Sequence, residues 1–271
     1  MSRRTPFHDH NHARDFDRRM GQSNSRTALI EEMIRHLKLR GTEKVLDMGA
    51  GTGRVARALL PDLPRGVLVG VDPAPAMLHV AGEHKTEEGG RNFFLVCGRG
   101  ENLPLKTGTL DLVVSVFSLH HFKRKGAALK EARRVLRTGG KIMILDPVVR
   151  EPSDAVETEV TQLVQNVFRR THGPEFCMLP LSELRQILFM AGFVEITTWP
   201  QPLVFYGDSA DKVPMGKHWY EAAQTAGAHR SAEVRARFAQ SYFQIPPEEE
   251  PEPTLTGSLT FGLVSGCKGG D

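Results

Sequence analysis

The sequence predicts an α/β fold: a mostly parallel sheet with helices on both faces, an antiparallel last strand and an extra helical insertion toward the C-terminus. Three observations predict it. Short apolar runs recur at Lys44–Met48, Val67–Val71, Phe93–Val96, Leu110–Phe117 and Lys141–Leu145. They are apolar almost throughout rather than alternating, as strands buried on both faces are. Helical patterns lie between several of them, the order expected of a sheet with right-handed crossovers. Near the end, "TLTGSLTFGLVSG" alternates apolar and polar residues, as a half-covered antiparallel strand does.

Taken in order, Met1 to about Gln22 read as a polar, solvated arm. His8, His10 and His12 alternate there beside Asp9, but no matching ligands stand out elsewhere, so no metal site is expected. "TALIEEMIRHLKLRG" puts Leu29, Ile30, Met33, Ile34 and Leu37 on one helical face, with Gly41 where a C-cap would be. "AALKEARRVLRTGG" puts Ala128, Leu129, Ala132, Val135 and Leu136 on one face and ends at Gly139 and Gly140. Lys130, Arg133, Arg134 and Arg137 fall elsewhere and read as a solvated basic face. "VETEVTQLVQNVFRR" is amphipathic, Ser182 suits an N-cap for "ELRQILFMAG", and "VEITTW" reads as a strand. Helical stretches follow at roughly 213–226 and 231–243, then the breaker loop "PPEEEPEP".

Composition narrows the function. The chain has 271 residues, 40% hydrophobic and 25% charged, enough to bury a real core. A net charge of +3 is too small to argue for nucleic acid or an anionic membrane. Cys97, Cys177 and Cys267 lie far apart without a CxxC pair, which fits a reducing cytosol and ordinary packing. The start is too polar for a signal peptide, and no apolar run reaches membrane-spanning length.

The chemistry concentrates in "VLDMGAGTGRVARALL", where a strand runs through Asp47 into Gly49, Gly51 and Gly53 and then a helix. Glycines let a bulky ligand approach the backbone, and the helix start offers N–H groups. The ligand crevice of an open α/β sheet lies at the carboxyl ends of the strands. A dinucleotide fingerprint needs its third glycine five residues after the first, and Arg54 stands there. Asp47 would also repel a phosphate and attract a cation. S-adenosylmethionine has an ammonium and a sulfonium and no phosphate. In "LVGVDPAPAML", Asp72 ends the second strand where an acid can accept both ribose hydroxyls. Pro73 is placed to start a helix, and Met77 to pack on an adenine face.

"VLDMGAGTG", "GVDPAPAML", "GENLPLKTGTLDLVVSVFSLHHF" and "EARRVLRTGGKIMILDP" resemble, in order, the motifs of class I S-adenosylmethionine-dependent methyltransferases. The ubiquinone/menaquinone-biosynthesis-like (methyltransferase type 11) group is the nearest flavour. The clear match runs from about Lys44 to Pro147, and "LTFGLVSGCK" resembles the family's closing antiparallel strand. The resemblance implies a Rossmann-like seven-stranded sheet. It implies one domain in three stretches: 1–40 as arm and cofactor lid, 41–150 as the S-adenosylmethionine-binding core, and 151–271 as substrate-pocket helices and closing strands.

The implied cofactor set is Asp47, Gly49, Ala50, Gly51 and Gly53 at the methionine end, Asp72 and Pro73 at the ribose, and Met77 over the adenine. Arg99, Gly100 and Glu101 belong to the loop at the adenine edge, and Ser115 and Val116 lie beside the transferred methyl. The family often has Gly-Asp-Ala before that glutamate; here Arg99 replaces the aspartate and cannot accept a hydrogen bond. Thr138 stands where the family usually has a proline. His120 and His121 follow the fourth strand and are the candidate catalytic bases, needed only if the nucleophile arrives protonated. Phe16 and Met20 are the apolar contacts if the arm closes over the cofactor. Tyr206, His218, Trp219 and Tyr220 are packing residues or part of a pocket lid.

The expectation is a cytoplasmic, monomeric or homodimeric enzyme. It would move a methyl from S-adenosylmethionine to a small, partly apolar acceptor and leave S-adenosylhomocysteine, with no metal, nucleic acid or membrane span. The alternatives are an RNA or protein acceptor, a non-catalytic cofactor-binding module, and a nicotinamide oxidoreductase that the glycine spacing disfavours.

Overall fold

A computed structural model describes residues 9–21, 23–87, 90–205, 223–244 and 256–270. A nine-stranded sheet carries the fold. Its main path contains β1 (Lys44–Met48), β2 (Val67–Asp72), β3 (Phe93–Cys97), β4 (Leu110–Val116), β5 (Leu136–Val149), β7 (Phe193–Phe205) and β9 (Thr256–Lys268). Two-residue strands β6 (Leu179–Pro180) and β8 (Phe243–Gln244) pair with β5 and β9. The order along the path is β3-β2-β1-β4-β5-β9-β7. The first five are parallel neighbours, and β9 runs antiparallel to both β5 and β7. The expected seven-stranded, mostly parallel arrangement with an antiparallel last strand is present along that path.

The helices are α1 (His10–Gly21), α2 (Asn24–Leu37), α3 (Arg54–Leu59), α4 (Pro75–Glu87), α5 (Lys125–Val135), α6 (Ala155–His172), α7 (Leu181–Met190) and α8 (Ala232–Ser241). The period-2 pleat sorts strand residues into two cores. Val45, Leu112, Val114, Met143 and Leu145 pack with Leu29 and Met33 of α2, Leu59 of α3, Val164 of α6 and Phe238 of α8. Their neighbours Leu46, Val113, Ile142 and Ile144 pack with Leu129 and Val135 of α5 and Leu188 of α7. Burial on both faces is why these strands read as unbroken apolar runs. β3 is the exception: as the sheet edge it leaves Phe94 half exposed.

Several local expectations are corrected. The polar arm is not solvated throughout, since His10–Gly21 forms α1 and docks on α4. Ala13 is fully buried there and Phe16 packs on the cluster of Ala74, Met77 and Val80. Asp17 adds polar ties to His84 (2.8 Å) and Arg57 (3.2 Å). α2 ends at Lys38 in the left-handed region (φ 49), three residues before Gly41. α4 begins at Pro75 rather than Pro73. α5 stops at Val135, because Leu136 pairs with Leu110 and the strand then carries Gly139 and Gly140. α7 starts at Leu181 after Pro180, while Ser182 N–H donates to Glu151 (3.2 Å).

The basic face of α5 is not simply solvated. Arg134 grips Glu131 and the carbonyls of Leu103 and Leu105, and Arg137 pairs with Asp111 at 2.6 Å. Residues 223–227 are helical, overlapping the end of the stretch expected at 213–226. Tyr206, His218, Trp219, Tyr220, His8 and the loop at 246–253 lie outside the described residues. No helix among the described residues is long and apolar enough to cross a membrane.

Candidate active site

The carboxyl ends of β1, β2, β4 and β5 meet at one edge of the sheet. Asp47, fourth residue of β1, is 1% exposed, and neither carboxylate oxygen has a hydrogen-bond partner. Burial, then the nearby charge of Asp72, pushes its carboxyl up to about 7. The turn that follows has left-handed backbone at Gly49 (φ 88) and Gly51 (φ 54). A Cβ on Gly49 would lie 2.5 Å from Cβ of Ser118, so no side chain fits there. A Cβ on Gly51 would lie 3.6 Å from Cε of Met77, which is 5% exposed. Gly53 precedes α3 at its N-cap position.

The N–H groups of the four small residues in the turn are already taken. Gly49 and Ala50 both donate to Val71 O (2.8 and 3.1 Å), Gly51 donates to Asp72 Oδ2 (2.9 Å), and Gly53 to Ala50 O (2.9 Å). A pyrophosphate would meet occupied donors and two carboxylates. That extends the broken glycine spacing into three dimensions. Asp72 also accepts from Ala74 N–H at 2.8 Å. It is therefore a cap that ties the glycine turn to α4, beside exposed Pro73.

Arg99 is exposed and its backbone forms a tight turn with Asn102 (3.1 Å). Gly100 is buried because a Cβ there would meet the Phe122 ring at 2.7 Å. Glu101 is half-buried and accepts from Arg124 N–H at 3.4 Å. On β4, Ser115 is fully buried, with its hydroxyl 2.8 Å from that of Ser118. Ser118 donates onward to Met48 O (2.9 Å), locking β4 to β1 below the turn. Val116 is 5% exposed. Phe117 has φ 50, rare for an aromatic residue, and packs edge-on to Phe261.

His120 is 5% exposed in a short 3-10 turn. Its Nδ1 is hydrogen-bonded to Asp146 Oδ1 at 2.9 Å, and no hydrogen bond to Nε2 forms among the described residues. The charge of Lys125 and the backbone N–H groups of His120, Ser118 and Leu119 favour the ionised form of Asp146, against its burial. Burial pushes His120 well down and Asp146 well up, so the neutral imidazole is favoured; with Asp146 ionised, its proton sits on Nδ1 and its lone pair on Nε2. His121 does not share Asp146; it lies against His120, His172 and Phe176. Burial holds His121 well below its usual range and His172 down at about 3. Phe168 stacks on Phe176 and completes a wall of neutral rings.

The structure thus brings the glycine turn, Asp72, Met77, Ser115, Val116 and His120 to one sheet edge. Sequence reasoning missed Asp146, Arg26, His172 and Phe176. Asp146 had a signal: "ILDP" puts an acid near the end of β5, as "VLDM" and "GVDP" do for β1 and β2. The aromatic wall had none, because it is assembled from α6 and the segment after it. Among the described residues no group of three or more His, Cys, Asp or Glu could hold a metal. A surface groove lined by Arg169, Arg170 and Arg230 shares no residue with this crevice.

These residues fit S-adenosylmethionine. The orphaned carboxylate of Asp47 suits an ammonium, and the left-handed turn at Gly49 and Gly51 runs directly beside it.

Comparison with known proteins agrees. The family described as Methyltransferase domain matches residues 46–144. The "Uncharacterized methyltransferase YcgJ" of Bacillus subtilis is 30% identical over 64% of this chain and 66% of its own length. The crystal structure of that protein overlays with a TM-score of 0.70 at 24% identity, covering 90% of this chain and all of the other. At that identity the overlay speaks for the fold alone. A malonyl-[acyl-carrier protein] O-methyltransferase of Laribacter hongkongensis is 30% identical over 78% of this chain and 68% of its own. A ubiquinone/menaquinone biosynthesis C-methyltransferase UbiE of Syntrophotalea carbinolica is 34% identical over 42% of this chain and 47% of its own. The chain thus spans between about half and two thirds of the curated relatives it matches. On the order of motifs, the sheet topology and these matches, the chain belongs to the class I S-adenosylmethionine-dependent methyltransferases of the methyltransferase-domain family.

Proposed function

We propose that the chain moves the methyl group of S-adenosylmethionine to a small, partly apolar acceptor by in-line displacement, leaving S-adenosylhomocysteine. One observation carries this reading: a buried carboxylate, Asp47, with no hydrogen-bond partner among the described residues, beside Gly49, where no side chain fits. A buried unpaired carboxylate is costly unless a cation meets it. Bound S-adenosylmethionine supplies a methyl on a sulfonium that departs as a neutral thioether.

The chain's own residues do the rest. Asp47 holds the ammonium, and Gly49, Ala50, Gly51 and Gly53 leave it space. Asp72, next to Pro73, keeps lone pairs for the ribose hydroxyls beyond its two backbone bonds, and Met77 covers the adenine. Arg99, Gly100 and Glu101 border the adenine edge. Ser115 and Val116 set the floor beside the methyl. Where the acceptor arrives protonated, Nε2 of His120 takes its proton, oriented by Asp146; His121 lines the wall rather than acting as base. The histidine and phenylalanine wall suits a partly apolar acceptor. Residues 1–40 cover the cofactor side and residues 151–271 the acceptor side of residues 41–150. The reading places the protein in the cytoplasm, with cysteines that form no disulfide. A second acceptor class, an acyl group on a carrier protein, is favoured by the name of the Laribacter relative.

Isothermal titration calorimetry tests the reading. S-adenosylhomocysteine is expected to bind at least tenfold more tightly than NAD, and Asp47→Ala to lose at least tenfold of that affinity. The reverse order of ligands, or an Asp47→Ala affinity equal to wild type, would sink it. Native mass spectrometry of the purified protein would show any retained cofactor or acceptor.

A further inference from the structure

Arg26, on α2, holds a half-buried positive charge that no carboxylate answers among the described residues. Its guanidinium carbon lies 5.2 Å from the centre of the Phe117 ring. Its Nη1 meets only the sulfur of Met20, at 3.1 Å. No ion pair to Arg26 forms among the described residues. Beside it Arg54, the first residue of α3, donates from Nη2 to Thr27 Oγ1 (2.5 Å) and Ser23 O (3.3 Å). Nη1 of Arg54 is buried with no partner at all. Burial, then Arg54, pushes Arg26 down to about 10. Two adjacent guanidiniums, with one orphaned N–H, form a costly arrangement in an otherwise well-bonded site.

Their position is informative. Phe117 directly follows β4, and the next residue, Ser118, is the one that abuts Gly49. The charge of Arg26 is felt at both His120 and His172. Arg26 therefore stands at the seam between the glycine turn and the ring wall, on the same edge as orphaned Asp47. An unanswered anion and an unanswered cation at one edge suit a ligand carrying both charges. Asp47 and Asp72 flank the turn, so a monoanion is tolerated there better than a phosphate dianion. The planar guanidinium fork matches a carboxylate.

We propose that Arg26, backed by Nη1 of Arg54, seats a carboxylate. One source is the α-carboxylate on the amino-acid end of S-adenosylmethionine, which rests on the function proposed above. The other is a carboxylate on the acceptor. Calorimetry on wild type, Arg26→Met and Arg26→Lys separates them. Methionine keeps the packing on Phe117 and Met20; lysine keeps the charge without the fork.

S-adenosylhomocysteine is compared with 5′-deoxy-5′-methylthioadenosine, which lacks the amino-acid end. If the cofactor's carboxylate sits on Arg26, Arg26→Met weakens S-adenosylhomocysteine at least tenfold and methylthioadenosine less than twofold, with Arg26→Lys between. If S-adenosylhomocysteine is unaffected, benzoate is titrated into the loaded proteins. Binding to wild type and loss in Arg26→Met assigns the carboxylate to the acceptor.

Equal benzoate binding by both proteins, or none by either, overturns the proposal. So does an equal loss of both nucleosides in Arg26→Met, which would mark a purely structural arginine. If wild type binds neither nucleoside, the proposed function fails instead. Benzoate on the unloaded proteins then decides Arg26 by itself.

Discussion

Asp47 and Asp146 are the same residue type, buried at the same sheet edge, 1% and 4% exposed. Their surroundings are opposite. Asp146 lies 2.9 Å from Nδ1 of His120, so it has a hydrogen-bonding partner inside the chain. Asp47 has no hydrogen-bond partner among the described residues. One carboxylate is tied to a side chain; the other is left unpaired. The contrast extends to the walls around them. The cofactor side is a local turn, built from residues 47–53 and tied to Asp72. The acceptor side is assembled from β4, β5, α6 and the segment at Phe176, and its imidazoles are held neutral by burial. The molecule thus separates charge recognition from apolar shape within one crevice.

The largest expected effect breaks the acceptor wall. Phe176 is 1% exposed, with ring centres of His120, Phe168 and His172 at 4.7, 5.0 and 5.0 Å. Phe176→Ala should cost about 3–5 kcal/mol in urea unfolding, through lost burial and a cavity. If the two sides are independent, affinity for S-adenosylhomocysteine changes less than threefold. A collapse of that affinity at a temperature where the variant remains folded would show that the walls are one unit.

The two sides also differ in how far the sequence reveals them. The parallel strands were legible because burial on both faces leaves an unbroken apolar run, and the glycine turn because its residues are contiguous. Asp47 was legible as an acid at the end of a strand beside a glycine turn, where a phosphate would be repelled. Helix ends were not. Gly41, Gly139 and Ser182 were plausible stops and caps, but tertiary pairing won: Leu136 joins Leu110 and Pro180 pairs with Val149. The arm at His10–Gly21 looked solvated because only Ala13 is fully buried in it, too small a signal for any periodicity argument. The ring wall was invisible because His120, Phe168, His172 and Phe176 are brought together only by the way α6 packs. Arg26 was invisible because an arginine's pairing is a property of the fold.

A second effect sharpens the role of the orphan. With its carboxyl at about 7 in the fold and 3.8 in the unfolded chain, Asp47 binds a proton in the folded state that the unfolded state has lost. Stability therefore falls as pH rises from about 4 to about 7 and stays lower above that. Asp47→Asn removes this penalty. Thermal melts should show it about 4 kcal/mol more stable than wild type at pH 8, with the difference gone near pH 4. Binding should move the other way. Wild-type affinity for S-adenosylhomocysteine should weaken as pH falls from 8 to 6, because the ammonium needs the ionised form. Asp47→Asn should show weak affinity with no such slope. A wild-type affinity that is flat across this range would remove Asp47 from the ammonium.

The smallest effect tests whether being answered or unanswered sets the sign. Asp72 lies one strand over from Asp47, yet its two oxygens accept from Gly51 and Ala74. Asp72→Ala removes two turn-tying bonds and should destabilise the fold by about 1–1.5 kcal/mol, near the loss of a helix cap. It should also weaken S-adenosylhomocysteine at least tenfold through the ribose hydroxyls. Removing either acid then harms binding, but removing Asp47 stabilises the empty protein while removing Asp72 destabilises it. Urea midpoints of the two variants at pH 8 read that sign directly. If both variants lose stability, Asp47 has a partner inside the chain after all, and the ammonium is no longer needed to explain its burial. If both gain, the bonds from Gly51 and Ala74 do not offset the charge of Asp72, and the turn is held by the carbonyl of Val71 alone.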